Sequence, residues 1–306
     1  MSEPRILLFG LYELGFRSLE ALAARDLSVV GVVTKPESSL EHLPLTRLAR
    51  TLALPVLAPE TPRRASFLRD VKALAPDLIA VAGYHRILPA ALLQLAPRGA
   101  INLHGSLLPE YRGPCPWKWA LVNGETKTGV TVQRMEATLD RGDLLAQSEF
   151  RIDPQDTGES LFMKICAVGG PLLARTIEGL VAGTIVPRAQ DEKKASYQGY
   201  PTDDDTRIRW DWTAERIRNL VRGFCPRPGA WSAFGSTRIP IREAIPIEGP
   251  LAPVPGMILG RLEEAILVST GRGNVAIPEF HLDGKVPQPG TFFDPAPALR
   301  PSVKTT

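Results

Sequence analysis

Apolar and polar positions follow two rhythms over the first part of the chain. Ile6 to Phe9, Ser28 to Val33, Leu78 to Ala82 and Ala100 to Asn102 are short, largely apolar runs of strand length. Between them, residues near Glu13 to Ala24 and Leu45 to Leu52 set apolar side chains at helical spacing, and Phe67 to Leu74 fills the next interval. Strand and helix alternating at this spacing predict an α/β fold with a doubly wound parallel sheet. Such sheets bind ligands beyond the carboxyl ends of their strands, where the strand order reverses. Chemistry is therefore expected after Phe9, Ala82 and Asn102.

Further along, Gly129 to Met135 and Leu144 to Ile152 read as two more strands, followed by a long helix from about Glu159 to Val181. Residues 186–206 are polar and rich in turn formers, with the acidic run Asp203 to Asp205 near their end, and read as a linker. A helix near Ala214 to Arg222 is followed by Phe224 to Gly229, where two prolines and a glycine break the chain. The remainder shows short β-like runs among many Pro and Gly, the pattern of a small β-barrel. The expected division is a catalytic domain at 1–187, a linker at 188–206 and a smaller β-rich domain at 207–306.

Composition agrees with two domains: 306 residues, 44% of them apolar, exceed what one core commonly organises. The 36 Lys and Arg and 33 Asp and Glu are mixed along the chain, leaving a net charge of +3 without a sustained basic run. Cys115, Cys166 and Cys225 are isolated and form no C-x-x-C pair, so neither zinc nor a disulfide framework is expected, and no metal site. The first residues run straight into a strand, and no apolar run approaches the roughly 20 residues of a membrane span. A cytoplasmic protein without membrane attachment is the expectation.

The most informative segment is Ala100 to Pro116, AINLHGSLLPEYRGPCP. Its strand sets Asn102 and His104 on one face, because side chains two apart in a strand point the same way. An amide donor can stabilise an oxyanion, and an imidazole can take or give a proton near neutral pH. That pairing suits acyl transfer.

Asn102 to Pro109, Tyr111 to Gly113, Pro116, Thr128 to Thr131, Met135 and Leu139 to Asp143 together resemble the signature of the 10-formyltetrahydrofolate-dependent formyltransferases. The resemblance extends over roughly residues 4–235, with Trp210, Arg222 and Pro228 to Ala230 matching the start of the family's second domain. It implies a Rossmann-like formyltransferase sheet with an OB-like C-terminal barrel, and 10-formyltetrahydrofolate as co-substrate. It also implies that Asn102 and His104 bind the developing oxyanion while Asp140 orients His104 and assists proton transfer, with Asp140 beside the folate as well. Gly83 to Pro89 resembles the family's folate-binding loop, in which Arg86, Ile87 and Leu88 would line the pterin pocket.

The turn after the first strand, Gly10 to Gly15, is neither a G-x-G-x-x-G fingerprint nor a P-loop, so no dinucleotide or ATP site is read there. Gly10 and Tyr12 are still placed on the acceptor side, with Ser106 and Trp119. Three features bear on the acceptor amine: the segment Lys35 to Pro44 is short and mildly acidic, where tRNA-directed members usually carry a longer basic insertion. Trp119 stands where those members typically show an Arg, and residues 201–306 hold 13 Lys and Arg against 12 Asp and Glu. These favour a small-molecule amine, an amino-sugar nucleotide first, and make nucleic acid an unlikely partner. Methionyl-tRNA is the alternative, and a catalytically silent folate-binding protein is a second one. The β-rich domain also offers a surface for a homodimer.

Overall fold

The computed structural model describes residues 3–36, 43–136, 138–249, 254–278 and 288–293, and the chain divides into two compact units. The first comprises residues 1–116, 127–151 and 160–199, and the second residues 117–126, 152–159 and 200–306.

In chain order the first half runs β1 (Ile6–Gly10), α1 (Tyr12–Ala23), β2 (Val29–Val33), α2 (Pro44–Thr51), β3 (Val56–Leu57), α3 (Ala65–Leu74), β4 (Leu78–Ala82), α4 (Ala90–Leu93) and β5 (Ala100–His104). There follow α5 (Pro116–Val122), which belongs to the second unit, then β6 (Lys127–Arg134), β7 (Leu144–Arg151) and the long α6 (Gly158–Ala182). The first unit holds a seven-stranded sheet in the order β3-β2-β1-β4-β5-β6-β7. The first five strands are parallel, whereas β6 and β7 pair antiparallel. The sheet is therefore mixed. Strands β1 and β4 are buried along their whole length, which is why they read as unbroken apolar runs.

The strand order reverses between β1 and β4, so their carboxyl ends, Gly10 and Ala82, mark the topological switch point. The turn out of β1 is a backbone contact: a Cβ on Gly15 would lie 2.8 Å from Gly10 Cα, and one on Gly10 would lie 2.9 Å from Gly15 Cα. Only glycine fits at both positions. By length and composition α6 is apolar enough to cross a membrane, contrary to the sequence expectation, but half of its most apolar stretch is buried within the protein. At Gly169 it comes so close to β5 that a Cβ would lie 2.9 Å from Leu103.

The strap of chain after α6 differs most from expectation. Residues 188–198 do not run free as a linker but lie on the first unit. Arg188 pairs with Leu144 through two backbone hydrogen bonds of 2.8 and 3.0 Å, and Gln198 N–H donates to the Arg112 carbonyl at 2.9 Å. Beyond them come α7 (Ala214–Phe224), β8 (Ala230–Phe234), β9 (Thr237–Ile241), β10 (Ile245–Ile247), β11 (Ile258–Leu262), β12 (Ala265–Ser269) and β13 (Asn274–Pro278). They form a β8-β9 ribbon and a four-stranded sheet ordered β10-β13-β12-β11, antiparallel throughout. Helix α7 begins at Thr213, whose hydroxyl accepts from Arg216 N–H, and packs Ile217, Leu220, Val221 and Phe224 into this unit's core. There Trp210 stacks on Phe293 at 4.9 Å and donates its indole N–H to Ser232.

Candidate active site

Strand β5 delivers Asn102 and His104, and its antiparallel pairing with β6 sets Asn102 opposite Gln133 and His104 opposite Thr131. Directly paired residues share a face, so these four side chains converge on one side of the sheet. His104 is buried, with Nε2 at 2.9 Å from the Tyr111 carbonyl oxygen. A carbonyl only accepts, so Nε2 carries the proton. The other nitrogen, Nδ1, then faces Asp140 Oδ1 across 3.7 Å, longer than a hydrogen bond yet within ion-pair range of an imidazolium.

Asp140 sits in the turn between β6 and β7 in the left-handed region, with φ of +54°. Its carboxylate is met by two donors: Gln133 Nε2 at 2.9 Å on Oδ1 and the Gly113 backbone N–H at 2.9 Å on Oδ2. Two residues on, Gly142 passes so near Arg134 that a Cβ would overlap its carbonyl oxygen, which pins the turn to the end of β6.

The loop between β5 and α5 is braced from within. Ser106 Oγ donates to the Glu110 carbonyl at 2.7 Å, and Thr131 Oγ1 donates to the Ser106 carbonyl at 2.6 Å while accepting Leu108 N–H at 3.1 Å. This bracing fixes the Tyr111 carbonyl and hence the tautomer of His104. Ser106 thus spends its hydroxyl on the loop. Arg112, almost fully buried, donates to Glu192 through Nη1 at 3.0 Å and Nη2 at 2.7 Å, and to Gln190 through Nη2 at 2.8 Å. The guanidinium holds the Glu192 carboxyl below its ordinary range.

At the end of β4, Gly83 turns the chain at φ of +74° and Tyr84 packs edge-on against Phe9 at 5.2 Å. Leu88 is buried in the core with Phe67 and Leu92, whereas Ile87 is 73% exposed and Arg86 is also exposed, donating from Nε to His85 Nε2 at 3.1 Å. Burial, helped by Arg86 and Lys35, holds His85 below the usual imidazole range, so it is neutral near pH 7. At the end of β1, Tyr12 has φ of +50° and its hydroxyl accepts from Lys35 Nζ at 2.9 Å. A bulky residue held in that region is strained, here at the carboxyl end of a strand that borders the topological switch point. Trp119 lies in the second unit, edge-on to Phe224 at 5.5 Å and packed against that unit's core.

The structure thus brings Asn102, His104 and Asp140 to one face, with Gly10, Tyr12 and Gly83 to Leu88 at the ends of the adjoining strands β1 and β4. Arg112 and Thr131 lie in the motifs quoted from the sequence but were given no role there, and Gln133 and Gln190 were not singled out at all. For Gln133 and Thr131 there was a signal, since they are the polar alternates to Val130 and Val132 in a buried strand. For Gln190 there was none.

Comparison with known proteins gives this arrangement its context. The model of the formyl transferase domain matches residues 17–177, and that of the formyl transferase C-terminal domain matches residues 202–294. A methionyl-tRNA formyltransferase of Geobacter sulfurreducens is 35% identical over 99% of this chain and 97% of its own length. The chain belongs to the formyltransferase family. A second methionyl-tRNA formyltransferase, from Acidobacterium capsulatum, is 36% identical to this formyltransferase, with 94% of each chain covered. The solved structure of WlaRD, a sugar 3N-formyl transferase in the presence of dTDP and 5-N-formyl-THF, shares the fold at a TM-score of 0.71 and 17% identity, over 92% of this chain and 100% of that one. As an enzyme of this family, the formyltransferase uses 10-formyltetrahydrofolate as its donor.

The expected acceptor is corrected. Curated relatives at 33–36% identity over nearly their whole length are methionyl-tRNA formyltransferases, against the amino-sugar nucleotide and against the reading of nucleic acid as an unlikely partner. Two of the three sequence arguments fail for physical reasons. Net charge is blind to placement: Arg218, Arg222 and Arg242 line one cleft of about 820 Å³ in the second unit, with Glu243 beside them. Trp119 is used in packing. The third argument, the short acidic segment, falls largely on residues 37–42, outside the described residues.

Proposed function

We propose that this formyltransferase acts on methionyl-tRNA, transferring the formyl group of 10-formyltetrahydrofolate to the α-amine of the esterified methionine. The observation that carries the reading is identity near 35% along essentially the full length of enzymes of that name.

In this reading the amine, in its neutral form, attacks the formyl carbon, and negative charge grows on the formyl oxygen. The Asn102 amide stabilises that charge, and so does His104 once Nδ1 has taken up a proton and the ring is an imidazolium, since its Nε2–H is already given to the Tyr111 carbonyl. Asp140 Oδ1 and His104 Nδ1, the facing pair at 3.7 Å, receive the proton the amine loses and return it to the departing folate nitrogen as the old C–N bond breaks. Gly113 N–H and Gln133 Nε2 donate to the Asp140 carboxylate and hold it in place for this task. Backbone groups of Arg86, Ile87 and Leu88 hold the pterin, which leaves Leu88 free to pack in the core. Gly10, Tyr12 and Ser106 lie on the acceptor side, and Trp119 receives no substrate role. A charged-tRNA acceptor fits a cytoplasmic enzyme.

The test is release of tetrahydrofolate from 10-formyltetrahydrofolate in the presence of methionyl-tRNA, UDP- and dTDP-linked amino sugars, or no acceptor. Acceleration by methionyl-tRNA alone is expected. Acceleration by an amino sugar alone would refute the acceptor, and no acceleration by any amine would indicate a silent folate binder.

A further inference from the structure

The strap at residues 188–198 carries a hydrogen-bond chain that ends on Asp140. Gln190 Oε1 lies 2.8 Å from Arg112 Nη2 and 3.2 Å from Arg112 Nε. Its Nε2 lies 2.8 Å from the Gly142 carbonyl, 2.9 Å from the Asp140 carbonyl and 3.2 Å from Gln133 Oε1. The orientation of this amide follows from its surroundings. A guanidinium only donates, so the amide oxygen must face Arg112, and carbonyls only accept, so the NH2 must face Asp140 and Gly142. Both ends agree. The NH2 has two hydrogens for three acceptors, and the longest contact, to Gln133, shares one of them.

That shared contact fixes a second amide. With its oxygen turned to Gln190, Gln133 must turn its NH2 to Asp140 Oδ1, at 2.9 Å. Gln133 is almost fully buried, so no bulk water competes for either end. A flipped Gln133 would set an amide oxygen against Oδ1 and require Asp140 to carry a proton there, on the oxygen that faces His104.

We infer that Gln190 is a positioning residue for formyl transfer, which locks the Asp140 turn and, through Gln133, keeps Asp140 a proton acceptor toward His104. This rests on the assignment of Asp140 and His104 to proton handling. The ionisable side chain beside Asp140 is His104 on β5, at 3.7 Å, while on the strap Glu192 is paired with Arg112 at 2.7 Å and lies 3.9 Å from Arg141.

Gln190→Glu separates positioning from folding. The carboxylate still accepts from Arg112 but loses all three donated bonds and sets its oxygen against two carbonyls. The expected result is a cooperative melt at a somewhat lower temperature than the parent, KM for methionyl-tRNA within about twofold, kcat per folded protein lowered about tenfold or more, and an acidic limb of kcat/KM moved to higher pH. Gln190→Ala, measured per folded protein, serves if the Glu variant fails to fold and should show the same split. Parental kcat and pH profile in the folded variants, with Asp140→Asn impaired, would overturn the inference alone. An unimpaired Asp140→Asn would overturn the site reading beneath it, and the inference with it.

Discussion

Gly113 donates its backbone N–H to the Asp140 carboxylate at 2.9 Å, in a place where no side chain fits. Its φ is +97°, and a Cβ would overlap the Gln198 carbonyl oxygen and touch the Tyr197 ring. The glycine lets the β5–α5 loop, the Asp140 turn and the strap meet at one point.

Gly113→Ala is therefore expected to push the strap outward and pull the donor from Asp140. Stability should fall by about 1–3 kcal/mol, the usual cost of forcing a Cβ into such a conformation, and turnover should fall further than stability explains. Thermal melts beside initial rates test this, and a folded variant with parental turnover would contradict it.

Replacing Asn102 or His104 by Ala, or Asp140 by Asn, should lower kcat by about two to three orders of magnitude, as for lost oxyanion or proton-transfer contacts. Folate binding should persist in the Asn102 and His104 variants, because the loop at the end of β4 is untouched. Equilibrium titration with a folate and single-turnover rates separate the two effects. A variant that loses folate binding and rate together would move that residue from chemistry to binding.

The Arg112–Glu192 pair predicts a pH dependence of stability. Arg112 holds the folded Glu192 carboxyl below its unfolded value of about 4.3. The pair's contribution is therefore present above that value and is lost as pH falls through the lower, folded one. Melting temperatures of the parent and Glu192→Gln should differ near neutral pH and converge in acid. A gap that stays constant into acid would contradict the account.

Much of this was legible in the sequence because it is local. Strands β1 and β4, buried on both faces, announce themselves as apolar runs, and strand alternation alone sets Asn102 and His104 on one face. Short elements such as β3 and α4 have too few residues to show a period. The strap was unreadable for another reason: Gln190 finds Asp140 and Arg112 across 50 and 78 residues, and its neighbours in sequence look like any polar turn. The acceptor was misread because a charge total over residues 201–306 carries no information about where arginines gather.

Burial pushes the Cys166 thiol up to about 12, inside α6. It should resist alkylation in the native state at pH values where a free thiol reacts, and become reactive only on unfolding. Mass mapping after native labelling checks this, and early modification of Cys166 would show α6 to be less firmly packed than described.

The central claim is tested most directly by identifying the product on the tRNA. The enzyme is incubated with 10-formyltetrahydrofolate and methionyl-tRNA, the ester is hydrolysed, and the released amino acid is weighed by mass spectrometry. N-formylmethionine, formed at a rate that collapses in the His104→Ala enzyme, is the predicted result. Unmodified methionine, with tetrahydrofolate released to water or to another amine, would contradict the account.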